Sequence, residues 1–107
     1  DLTIVAVVGE FGFGRVVAIG EYLIDPATNI AEIAFSVSKD YQKKGMGKIL
    51  ITKLASAARE NHISGLVAFT SPRNRGMIKL FNQLPYKVHS SFDGDMLTLR
   101  CKFDEPA

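Results

Sequence analysis

The 107-residue chain has one cysteine, Cys101, so an intrachain disulfide is excluded, which fits a reducing, cytoplasmic setting. Cys101 reads as a small buried apolar residue of the last strand, and no motif places it as a nucleophile. Histidine is scarce too: His62 reads as a helix-end or solvated side chain, His89 as a strand residue, and no metal-ligating cluster is visible. No apolar run approaches the roughly 20 residues of a membrane-spanning helix, and no signal-peptide pattern appears, so a membrane is not an expected partner. An excess of one charge is also missing. The 13 Lys and Arg against 11 Asp and Glu leave +2, too little for a global polyanion-binding field, and nucleic acid is not an expected partner. Repeats and low-complexity tracts are absent.

What is present suits one well-packed domain over residues 1–107, with 47% hydrophobic and 22% charged residues. The chain starts at Asp1, without Met and inside what reads as a strand, so it is expected to be cut from a longer protein.

Residues 2–9, LTIVAVVG, and 16–24, VVAIGEYLI, read as strands joined in a hairpin by the glycine-bearing EFGFG. GFGRVV is a poor copy of an RNA-stacking motif, because Phe11 stands where a basic residue belongs and Arg15 where an aromatic belongs. Gly9, Gly12 and Gly14 have the wrong spacing for a dinucleotide loop, and no helix follows them. DPATN, residues 25–29, is turn chemistry in which Asp25 and Asn29 can bond their own backbone.

Residues 30–38 alternate, with Ile33, Phe35 and Val37 on one face and Glu32, Ala34 and Ser36 on the other, which leaves room beside the Glu32 carboxylate. A helix follows with Met46, Ile49, Leu50, Lys53, Leu54, Ala57 and Ala58 as its apolar-spaced stripe, ending in NHISG. LVAFT, 66–70, reads as a short buried strand. Residues 74–84 read as a helix with Met77, Ile78, Leu80, Phe81 and Leu84 as its stripe, ended by Pro85. Residues 86–91 and 96–103 read as strands around FDGD, with a frayed tail over 104–107. The fold class is α/β (α+β): a mixed, mostly antiparallel sheet with helices packed on it, in the order β-β-β-α-β-α-β-β.

Positive charge is concentrated between strand and first helix. Lys39, Lys43, Lys44, Lys48 and Lys53 fall within fifteen residues that hold one acid, Asp40. Here Gln42, Lys43, Lys44, Gly45, Met46, Gly47 and Lys48 spell Gln-x-x-Gly-x-Gly at a helix entrance. First-turn amides lack intrahelical acceptors, so they can converge on an anion such as a pyrophosphate, with the lysines at the rim. It is not a nucleoside-triphosphate P-loop, since Ile49 follows Lys48. An ordinary glycine-assisted loop before a helix fits the spacing as well.

FSVSKDYQKKGMGKILITKL resembles the acyl-CoA-binding core of the GCN5-related N-acetyltransferases (GNAT). Asn74, Met77, Leu80 and Phe81 match the spacing of that family's later motif, and the resemblance covers about residues 16–103. AEIAF further resembles acetyltransferase domains joined to acyl-CoA-synthetase-like or cyclic-nucleotide-binding domains, which modify protein lysines.

The resemblance implies an N-acetyltransferase that uses acetyl-CoA as cosubstrate, needs no metal, and acts on a protein lysine or, second, a small amine. The implied chemistry is direct attack within a ternary complex. The backbone of Gln42, Lys43, Lys44, Gly45, Met46, Gly47 and Lys48 would hold the pyrophosphate. The backbone of Phe35, Ser36 and Val37 would pair with the pantetheine arm, and Ser36 or Val37 would polarise the thioester carbonyl. Asn74 would bond the pantetheine or help close its channel, with Phe81 at the same channel, and Glu32 would be the general base.

Two departures bear on this. Phe81 stands where the family often has a Tyr that protonates the departing thiolate, and Pro85 where it often has Gly. The family's usual first strand and following helices are also missing, which implies an exposed sheet edge, covered in a homodimer or by another part of a longer chain. Phe81 and the missing wall leave open a second reading, a non-catalytic acyl-CoA-binding regulatory domain.

Overall fold

A computed structural model of the protein describes the backbone of residues 2–8, 15–37 and 45–107, and the side chains of 18–36 and 45–107. The elements run β1 (Leu2–Val8), β2 (Arg15–Asp25), β3 (Ile30–Val37), α1 (Met46–Glu60), β4 (Gly65–Thr70), α2 (Arg75–Asn82), β5 (Tyr86–Asp93) and β6 (Met96–Pro106). This is the order expected from periodicity. They form one six-stranded sheet, β1-β2-β3-β4-β6-β5, in which β3–β4 is the parallel pair and the other neighbours are antiparallel.

Strand alternation divides the sheet into a covered and an open face. Tyr22, Ala31, Ile33, Leu66, Ala68, Leu97, Leu99 and Cys101 point into one core with Leu54 and Ala58 of α1 and Phe81 of α2. The opposite face carries Glu21, Leu23, Glu32, Ala34, Phe69 and Arg100, all exposed. LVAFT is therefore not wholly buried, because Phe69 belongs to the open face and is 50% exposed.

The buried stripe of α1 is Leu50, Ile51, Leu54, Ala55 and Ala58, whereas Ile49 and Lys53 are exposed. The observed face is thus turned from the expected one. Apolar residues at 49, 50 and 51 permit two overlapping stripes, and contact with β2 and β3 selects the one through Ile51.

The helix ends in a Schellman turn. His62 N–H donates to Arg59 O at 3.1 Å and Ile63 N–H to Ala58 O at 3.0 Å, with His62 left-handed at φ 60. A side chain there is strained, so His62→Gly is expected to raise stability by roughly 0.5–1 kcal/mol in urea unfolding, after the entropy glycine adds to the unfolded chain. A loss of stability would contradict the left-handed assignment. Asn29, also left-handed at φ 57, does not bond its own backbone. Its Nδ2 donates to His62 O at 2.8 Å and Ser64 Oγ at 3.1 Å, tying the β2–β3 turn to the α1–β4 connection. Asp25 behaves as expected, its Oδ1 accepting from Ala27 N–H at 3.0 Å.

The FDGD hairpin forms one residue later than a two-residue Asp-Gly loop would place it. Asp93 pairs with Met96, and only Gly94 (φ 62) of the two loop residues has positive φ, the II′ pattern. The expected frayed tail is ordered instead: β6 continues to Pro106, Tyr86 pairs with Pro106, and Ala107 N–H donates to Pro85 O at 3.3 Å. Tilted packing of the Tyr86 ring against Phe103, centroids 5.1 Å apart and planes at 60°, supplies the apolar contact that holds this end.

Candidate functional site

The parallel pair β3 and β4 stays together for three residues only: Ile30–Gly65, Ala31–Leu66 and Glu32–Val67. Beyond Glu32, β3 keeps its pairing with β2 as far as Val37, and β4 keeps its pairing with β6 as far as Thr70. The two strands therefore part, and a cleft opens at the C-terminal ends of a parallel pair, where ligands of open α/β sheets bind. Among the described residues, the backbone groups of 33–37 on the β4 side have no strand partner along this cleft. Chain direction brings both helix N-termini to the same end, since α1 follows β3 and α2 follows β4.

Of the basic loop, Gln42, Lys43 and Lys44 lie outside the described residues. Gly45 caps α1 in the left-handed region (φ 81, ψ 2) with no side-chain cap, and the first turn contains no acid. Among the described residues the first bond of the helix is Ile49 N–H to Gly45 O at 3.1 Å, and the amides of Met46, Gly47 and Lys48 find no helix acceptor. The two glycines do different work. A Cβ on Gly45 would meet nothing within 4 Å, so its need is for positive φ and its surroundings are open. A Cβ on Gly47 would lie 2.7 Å from Leu80 Cδ1 and 3.6 Å from Phe35 Cε2, so Gly47 lets the first turn of α1 close against α2 and β3. Phe35, half-buried, and Gly47 are thereby brought together, while Ser36 is exposed; the Val37 side chain lies outside the described residues.

Asn74 is the N-cap of α2, its Oδ1 accepting from Met77 N–H at 3.1 Å, while its Nδ2 donates to Thr70 Oγ1 at 3.0 Å. Both polar ends of Asn74 are thus engaged within the chain, fixing the start of α2 to the end of β4. Thr70, a buried polar residue, completes that tie. Sequence reasoning passed over it; the signal was a hydroxyl four residues before a helix N-cap Asn.

Phe81 is fully buried in the core and presents no surface to the cleft. Its aromatic side chain packs where a hydroxyl would need a partner. Glu32 is exposed at the mouth of the cleft, where an incoming amine can reach its carboxylate. Cys101 is fully buried, and burial pushes its thiol up to about 11, which keeps it protonated and out of reach as a nucleophile. Among the described residues no group of His, Cys, Asp and Glu is arranged to hold a metal ion.

Comparison with known proteins agrees with this geometry. Among solved structures, the chain superposes on the GNAT domain of Streptomyces lividans PAT with a TM-score of 0.72 and 29% identity, covering 88% of this chain and 57% of that one. An IAA acetyltransferase from Bacillus cereus ATCC 14579 matches at TM-score 0.77 and 20% identity, over 94% of this chain and 77% of that one. The protein yncA from Salmonella typhimurium, solved with its cofactor acetyl-CoA, matches at TM-score 0.72 and 22% identity, over 88% of this chain and 62% of that one. The chain thus spans little more than half the length of the Streptomyces domain. The two matches below 25% identity speak for the fold. The model of the Acetyltransferase (GNAT) family matches residues 2–84, most of the chain, and with the splayed β3–β4 pair this establishes that the protein belongs to the GNAT acetyltransferase family.

Proposed function

We propose that the protein transfers an acetyl group from acetyl-CoA to an amine, with a protein lysine as acceptor, by direct attack in a ternary complex. The observation that carries this reading is the parting of β3 and β4 immediately after Glu32, beside a helix N-terminus with no side-chain cap. The residues present fit the cosubstrate. A strand edge with unpaired amides suits an extended amide-bearing arm, and open space at Gly45 suits a pyrophosphate approaching the first turn of α1. Bound there, acetyl-CoA supplies an activated acyl thioester.

The chain's own residues do the rest. The loop of Gln42, Lys43, Lys44 and Gly45, with the amides of Met46, Gly47 and Lys48, holds the phosphates. The amide of Ser36 or Val37 donates to the thioester carbonyl. Glu32 takes the proton of the incoming ammonium, directly or through a water, since an amine of pKa about 10.4 is mostly protonated at neutral pH. No covalent enzyme intermediate is required, in keeping with the buried Cys101 thiol. With no hydroxyl at Phe81, the departing thiolate leaves unaided, which an ordinary thiol pKa of about 8.5 permits.

Calorimetry with acetyl-CoA beside an assay of amine-dependent thiol release tests this. Both binding and release are expected, and Gly45→Val is expected to weaken binding at least about tenfold by straining the positive φ and filling the approach to the first-turn amides. Binding without release would sink the enzyme reading in favour of an acyl-CoA-binding regulatory domain, the reading that Phe81 favours. No binding at all would sink both.

A further inference from the structure

The register of the sheet lays a charged row across its open face. Leu23, Glu32, Val67, Arg100 and His89 are direct neighbours on β2, β3, β4, β6 and β5. Glu32 and Arg100 are both exposed and flank the single strand β4, so at about 4.8 Å per strand their backbones are about 10 Å apart. Between them the floor is apolar: Val67 is half-buried, and Phe69, the next residue of β4 on this face, is 50% exposed. His89 pairs with Glu105 at 3.6 Å, whereas neither Glu32 nor Arg100 makes an ion pair among the described residues. Glu21 and Glu32 thus stand on β2 and β3, and Arg100 and Lys102 on β6, whose Glu105 is held beside His89.

We infer that this face selects an acceptor lysine that has an acidic residue close by in the same peptide, and that Arg100 is the specificity-determining residue that reads the acid. The inference rests on the acetyltransferase reading for the identity of the amine at Glu32. A lysine side chain directed at Glu32 lays its peptide over Val67 and Phe69, and the next charge it meets is the Arg100 guanidinium. A second cation there is repelled and a carboxylate is paired. An extended peptide advances about 3.3 Å per residue and alternates its side chains, so the favoured acid, facing the sheet with the lysine, lies two or four residues from it, on whichever side crosses β4.

The test uses pairs of short peptides with one lysine each, the two members of a pair differing only in Glu or Gln two or four residues away. For the unaltered protein with acetyl-CoA, kcat/KM should favour the Glu peptide about fivefold, as suits an exposed ion pair. The peptides' own affinities, read by fluorescence anisotropy without acetyl-CoA, should show the same preference and lose it in high salt. Arg100→Lys should keep the preference, Arg100→Gln should bring the ratio to about one, and Arg100→Glu should reverse it toward a peptide carrying Lys at that position. A merely structural role for Arg100 would not reverse the sign. Equal kcat/KM and equal affinity for the two peptides, or binding of neither, would overturn the inference while leaving acetyl transfer to other amines intact. Charge-dependent binding with no acetylation of any amine would sustain the surface and defeat the enzyme reading instead.

Discussion

Glu32→Gln is expected to lower amine-dependent turnover by about a hundredfold or more, while the affinity for acetyl-CoA stays nearly unchanged. The two measurements separate because the residue and the proposed phosphate loop are on different parts of the cleft. Glu32 is the last residue of β3 paired with β4, exposed on the open face, and α1 begins fourteen residues later. Glutamine keeps the shape and the hydrogen-bonding capacity of the side chain but cannot accept a proton as a carboxylate does. The substitution is exposed and isosteric, so folding stability should change by less than about 0.5 kcal/mol. The deficit should narrow as pH rises toward the amine's pKa of about 10.4, because the acceptor then arrives already deprotonated. Unaltered turnover near neutral pH would remove Glu32 from the mechanism. A matching loss of acetyl-CoA affinity would point to a binding role instead.

The expected element order matches the observed one because each element carries a local signal. Alternation across residues 30–36 places Glu32 and Ser36 opposite Ile33 and Phe35, and the structure keeps that division. The start of α1 was legible from Gly45 and Gly47, and the start of α2 from Asn74, because capping chemistry is written in a few adjacent residues. What was not legible depends on partners distant in sequence. The stripe of α1 was ambiguous among three consecutive apolar residues until β2 and β3 were in place. Residues 104–106 have no strand pattern of their own and are ordered by Tyr86. The separate duties of Gly45 and Gly47 appear only with Leu80 beside the latter. The cleft itself is a matter of register, since nothing in β3 or β4 alone says that their pairing stops after Glu32 and Val67. The same holds for the row joining Glu32 to Arg100, whose members are drawn from five strands.

Gly65→Ala should be the more damaging substitution for stability, with an expected loss of about 3 kcal/mol, the upper part of the range for overfilling a packed site. A Cβ on Gly65 would lie 2.2 Å from Cys101 O and 3.1 Å from Lys102 Cα, so the obstacle is backbone rather than the end of a side chain that can turn away. Relief requires β4 to move off β6 at the Gly65–Lys102 pair, and the same residue is paired with Ile30 of β3. The shift would therefore spread to the three-residue β3–β4 junction and loosen the geometry of Glu32 at its end. Gly94→Ala provides the control, since Gly94 has the positive φ that Gly65 lacks, while a Cβ there meets nothing within 4 Å. Its expected cost is about 1 kcal/mol of backbone strain. Urea or thermal unfolding of both variants decides the matter, with Gly65→Ala melting more than about 12 °C below the parent at roughly 4 °C per kcal/mol. If the two alanines cost the same, the close approach of β4 and β6 at Gly65 is wrong. If Gly65→Ala retains its fold but loses turnover beyond what reduced folding explains, the junction that carries Glu32 is what that approach maintains.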